Sequence, residues 1–141
     1  MLVIDSRVAN VAHARLATSR YVQQACPWAD PDEVVLVISE LVGNAVRHTA
    51  RGAWQLCLRG DAARLTADIR DSSPTSPAPR TPDLAEGGGM GWHIAERLTS
   101  RLTVLEHPDG KVVRAEWHAS ATKDRQAPMR APRGLVGQAA A

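Results

Sequence analysis

The segment DPDEVVLVISELVGNAVRHTA, residues 30–50, restricts the folds open to this chain more than any other stretch. Asp30 stands as an N-cap, Pro31 at the first helical position and Glu33 at the third, a strong helix start. The helix predicted from there runs to about His48. Its apolar positions are so dense that most of its surface must be covered by other parts of the chain.

The covering layer is legible as alternation. In AWQLCLR, residues 53–59, Trp54, Leu56 and Leu58 fall on one side; in RLTADIRD, residues 64–71, Leu65, Ala67 and Ile69 do the same. These predict paired strands joined around Gly60 and Asp61. LTVLEHPDGKVVRAEWH, residues 102–118, predicts a second hairpin turning at Pro108, Asp109 and Gly110. Helical periodicity is expected from about Arg7 to Ala25, carried by Val8, Val11, Ala12, Ala14 and Leu16. It is expected again from Met90 to Ser100, carried by Ile94, Ala95 and Leu98. Three helices on one face of a sheet would bury all three stripes. The expected class is therefore α+β, a two-layer sandwich whose mixed, mostly antiparallel sheet carries three helices on one face.

With 141 residues, 44% of them hydrophobic, the chain can bury one core, which is assigned to residues 1–120. Residues 121–141 lack aromatics and any periodic stripe, and are expected to form a disordered basic tail. The longest apolar run, Val34 to Ile38, is far too short for a membrane span, and the start MLVIDS has no basic leader. A cytoplasmic protein without a membrane partner is expected. Cys26 and Cys57 have no metal-ligand spacing and are expected as reduced thiols. The net charge of +2 is concentrated in the tail, where Lys123, Arg125, Arg130 and Arg133 face Asp124. The nearly neutral body speaks against direct nucleic-acid binding.

Three features could carry chemistry. EGGGMGWHIAERL, residues 86–98, packs glycines immediately before a helix start. Such a run is either a plain loop or a place where bare backbone approaches an anion. Glu40, Asn44 and His48, spaced four apart, form one polar line on the greasy second helix; it is either a solvent stripe or a site. Asp71 continues the parity of Leu65, Ala67 and Ile69, so it points toward the covered face. There it needs a partner, unless it meets water at the strand end or caps the following turn. Between Ser72 and Gly89 the prolines at 74, 77, 79 and 82 exclude a regular element and predict a lid or binding loop.

In this order, ISELVGNAVRHTA, DIRDSSP and EGGGMGWHIAERLTSRL resemble the N box and two glycine boxes of the Bergerat-type ATP-binding domains shared by histidine kinases, gyrase-type ATPases and chaperones. The short single-domain form is similar to bacterial anti-sigma-factor serine kinases and their actinobacterial relatives. The resemblance covers about Arg7 to His118. It implies ATP and Mg2+ as cofactors, with Asn44 as the magnesium ligand and Glu40 as general base. It also implies Asp71 as acceptor for the adenine amino group, and Gly87, Gly89, Met90 and Gly91 as the phosphate-binding lid, with His48 beside them. Arg15 matches an arginine of the first helix. Two departures stand out: Asp71 is followed by Ser72, Ser73 and Pro74 where the family usually has glycines, and His93 replaces a hydroxyl residue. The partners implied are a sigma factor and an anti-anti-sigma factor, and the family often forms homodimers. The implied function is an ATP-binding anti-sigma-factor-like regulator that phosphorylates a serine on the anti-anti-sigma partner. The alternative is a non-enzymatic partner-switching module on the same fold.

Overall fold

The computed structural model describes residues 1–49, 52–72 and 90–121. The strands are β1 (Leu2–Asp5), β2 (Trp54–Gly60), β3 (Arg64–Asp71), β4 (Arg101–His107) and β5 (Gly110–His118); the helices are α1 (Val11–Ala25), α2 (Pro31–His48) and α3 (Met90–Leu98). One sheet has the order β1-β2-β3-β5-β4, and every pairing is antiparallel. The sheet thus lies at the antiparallel end of the mixed arrangement expected. The proline-rich lid segment, residues 73–89, and the tail from residue 122 lie outside the described residues, as do Gly87 and Gly89.

α2 begins as its letters require. The Asp30 side chain accepts from Asp32 N at 2.9 Å, and Pro31 occupies the first turn, where its missing N–H costs nothing. Val34, Val37, Ile38, Leu41, Val42 and Ala45 are buried. Each large apolar side chain among them contributes about 1.5–3 kcal/mol by leaving water. They meet Leu56, Leu58, Leu65, Ala67 and Ile69, which project from the sheet at alternate positions, with Ala95 of α3 in the same core.

Two features differ from expectation. Residues 2–5 form an edge strand, Leu2 opposite Leu58 and Ile4 opposite Leu56. α1 then starts only at Val11, because Asn10 caps it by accepting from His13 N at 2.9 Å while its own N–H donates to His13 Nδ1 at 3.3 Å. The buried ridge of α1 is Ala14, Thr18 and Val22, whereas Val8 and Leu16 are exposed. Packing of α1 on α2 selects residues four apart, and those are small enough to let the two helices approach closely. At the other end of the core, Cys26 is fully buried beside Gly60, where an added Cβ would run into its Sγ; burial pushes the thiol's pKa up.

Alternation sends one set of sheet side chains toward the helices. At the end of the sheet where β3 stops and β5 starts, Trp54 lies opposite Asp71, Asp71 opposite Lys111, and Lys111 opposite Glu106. Gly110 makes this row possible. Its φ is +146°, and a Cβ there would collide with the Asp71 carbonyl and stand 2.8 Å from Ser72 Cα.

Candidate functional site

Asp71 does point into the covered layer, at 5% exposure. Its parity raised the question of a partner, and β5 supplies one: Lys111 Nζ donates to Asp71 Oδ1 at 3.0 Å, with both side chains 2% exposed. Lys111 was not singled out from sequence. The signal was present, since it shares the parity of Val113, Ala115 and Trp117, which all face inward. A cavity of about 500 Å3 opens at this end of the sheet, walled by Asp71, Lys111, Trp54, Ser6, Ser72 and His107. That volume falls in the range of small-ligand sites.

At its rim, Arg7 grips Asp5 through Nε at 3.0 Å and Nη2 at 2.8 Å, while the Arg7 backbone N–H donates at 2.9 Å. The arginine's side-chain hydrogen bonds, aided by that backbone N–H, hold the Asp5 carboxyl down to about 2.

The polar line of α2 is not a solvent stripe. Glu40, Asn44 and His48 are all half-buried, while the exposed positions of this helix include Leu36 and Val46. Over Glu40 lies Gly91, the second residue of α3. A Cβ on Gly91 would collide with Glu40 Oε2 and stand 2.9 Å from its Cδ, so the first turn of α3 rests directly on this carboxylate. Bare backbone here is a packing requirement. It also sets a negative side chain beside a helix start that carries unpaired N–H groups and a partial positive charge.

One turn along α2, Asn44 Oδ1 accepts from Arg47 Nη2. Arg47 is exposed, so releasing its guanidinium costs little. His48 sits in the last turn of α2. Met90 opens α3, with His93 one turn in and half-buried; Arg15 is exposed on α1. The structure thus joins Glu40 to Gly91 and Asp71 to Lys111.

Among the described residues no group of three or more His, Cys, Asp or Glu side chains is placed to hold a metal. A hard cation drawn to Asn44 would therefore take its other ligands from phosphate oxygens and water, as Mg2+ commonly does. Taken singly, the Asn44 carbonyl suits a divalent cation and the bare helix start over Glu40 suits phosphates, while Asp71 is the one member of this set among the described residues that wall the cavity. Among the described residues no helix is long and apolar enough to cross a membrane.

No curated protein matches this sequence. The family profile described as a histidine kinase-like ATPase domain does match, over residues 4–117, from within β1 into β5. That span takes in all three helices, β2, β3 and β4, and part of β1 and β5, together with Glu40, Asn44, Asp71 and Gly91. The chain therefore belongs to the histidine kinase-like ATPase domain family, whose members generally bind ATP, often with Mg2+.

Proposed function

We propose that this ATPase-family domain is a regulator of the anti-sigma-factor type, which binds ATP with Mg2+, holds a sigma factor and phosphorylates a serine on an anti-anti-sigma partner. The observation that best supports this reading is the seating of Gly91 on Glu40. A phosphate chain held at the start of α3 lies beside the Glu40 carboxylate. In this reading Asp71 accepts from the adenine amino group and Asn44 faces the cation. Gly87, Gly89, Met90 and Gly91 offer backbone to the phosphates, and His48 flanks them at the end of α2.

Mg2+, when bound, neutralises charge on the phosphates. Glu40 orients the partner serine and takes its hydroxyl proton as the serine oxygen bonds to the γ-phosphorus and the bond to the ADP oxygen breaks. Positioning and charge neutralisation supply most of the rate. A cytoplasmic location and a homodimer belong to the same reading, as does the lack of direct contact with nucleic acid or membrane.

A second reading has its own support. Asp71 is already ion-paired with Lys111 and is followed by Ser72 rather than glycine, which favours a partner-switching module that binds nucleotide weakly and does not turn it over. Glu40→Gln decides between them. The substitution is nearly isosteric and should keep nucleotide affinity within a few fold while lowering phosphoryl transfer by roughly 10²-fold. Wild-type protein that transfers no phosphate to any anti-anti-sigma candidate would favour the second reading.

A further inference from the structure

We propose that the outer face of the sheet, the one turned away from the helices, docks an extended acidic segment of a partner protein. In that segment two carboxylate side chains flank a small apolar one.

The strand registers define this face. Residues that alternate with the buried core positions share the other side: Val3 lies opposite Cys57, Cys57 opposite Asp68, and Asp68 opposite Arg114. By the same parity Arg59, Arg64, Arg70 and Arg101 lie there, with Glu116. Arg114 grips Asp68 through Nε at 2.7 Å and Nη2 at 2.8 Å, Arg64 reaches Glu116 at 3.8 Å, and Asp5 is held by Arg7. Arg59, Arg70 and Arg101 are exposed and form no ion pair among the described residues. A body that is nearly neutral as a whole thus carries its surplus positive charge on one side.

Between Arg59 and Arg70 lies a hollow of about 240 Å3, lined also by Met1, Val3 and Cys57. Met1 and Val3 are 76% and 49% exposed, so an apolar side chain that covers them removes apolar surface from water. The spacing suits one kind of chain. Arg70 lies opposite Gln55, four residues along β2 from Arg59. At a rise of about 3.3 Å per residue that is about 13 Å, the span from residue i to i+4 of an extended peptide laid along β2. Carboxylates at i and i+4 then meet the two guanidiniums, and the side chain at i+2, on the same side, enters the hollow.

Charge selects among the occupants. A second copy would bring the same positive face, and the tail of this chain is itself basic, so both are repelled. A nucleic acid binds best where flat side chains stack on its bases. This side of the strands offers no Phe, Tyr or Trp, since Trp54 and Trp117 are buried on the other side. An acidic polypeptide matches both the charge and the hollow.

The test uses the full-length chain and a fluorescent peptide capped at both ends, Thr-Glu-Thr-Val-Thr-Glu-Thr, with a control in which glutamine replaces both glutamates. Anisotropy should show saturable binding that is about tenfold weaker or more for the control, because charge-assisted hydrogen bonds are lost. Arg59→Gln and Arg70→Gln change exposed side chains and should keep the fold, each weakening binding about three- to tenfold. Arg20→Gln, exposed on α1, should leave it unchanged. Cys57 reports the location: bound peptide should slow its alkylation by iodoacetamide, while the fully buried Cys26 stays unreactive.

Equal affinity for the two peptides, full affinity in both arginine variants, or no binding at millimolar peptide would each overturn the proposal. Binding that leaves Cys57 unprotected would put the acid on the basic tail and overturn it as well. The same holds for oligouridylate that displaces the peptide and binds more tightly, and for a homodimer that dissociates when Arg59 and Arg70 are replaced.

Discussion

Gly91 lies flat against the carboxylate of Glu40, with no room for a Cβ between α3 and the Glu40 side chain. This contact ties the glycine-bearing start of α3 to the middle of α2 and sets where the Glu40 carboxylate can stand. A site assembled this way responds to a single methyl group.

Gly91→Ala is therefore expected to separate stability from chemistry. The atoms that must yield include the flexible end of Glu40, and alanine favours the helix by up to about 1 kcal/mol, so unfolding free energy should change by less than about 1 kcal/mol. The displaced carboxylate should lower phosphoryl transfer about as far as Glu40→Gln does. Urea titration beside a transfer assay measures both, and unchanged transfer would show that the Glu40 position is not set by this contact.

The Asp71–Lys111 pair gives the opposite signature. Asp71→Asn or Lys111→Met alone leaves one buried charge without its counter-ion and should cost about 3–5 kcal/mol. The double variant removes both charges and should recover most of that loss. Denaturant midpoints of the four proteins form a double-mutant cycle. Additive losses would mean that the two side chains do not share an interaction.

How much of this was legible beforehand depended on how a residue's letter relates to its surroundings. α2, β2, β3 and the second hairpin were open to reading because capping, Pro31 and strict alternation are local signals. β1 was missed, having only Leu2 and Ile4 to show its inward face, too few for a period. In α1 the large letters misled: Val8 and Leu16 are exposed while Ala14, Thr18 and Val22 are covered, because the neighbouring helix α2 determines which side is buried. Asp71 could be placed by parity, and Lys111 shares the inward parity of Val113, Ala115 and Trp117, but only the strand register sets the two opposite each other. Likewise Glu40 and Gly91 each stood out alone. Their contact is tertiary, and nothing within either segment encodes it.

At the cavity rim, Asp5 makes stability pH-dependent. Its folded pKa is held to about 2 by hydrogen bonds from Arg7, below the value near 3.9 expected of a free aspartate. A depressed carboxylate contributes stability that is present above the unfolded value and lost as pH falls through about 2. Asp5→Asn should thus lower the urea midpoint at pH 7 and have a much smaller effect near pH 2. An equal difference at both pH values would contradict the Arg7 assignment.

The most direct test is calorimetric titration of the wild-type protein with ADP in the presence and absence of magnesium, repeated with Asn44→Ala. The account predicts saturable heat from one nucleotide per chain, strengthened by magnesium. It also predicts that Asn44→Ala loses the magnesium-dependent part while the protein stays folded. No heat from the wild type at millimolar nucleotide would contradict the claim that the site around Glu40, Asn44, Asp71 and Gly91 binds ADP.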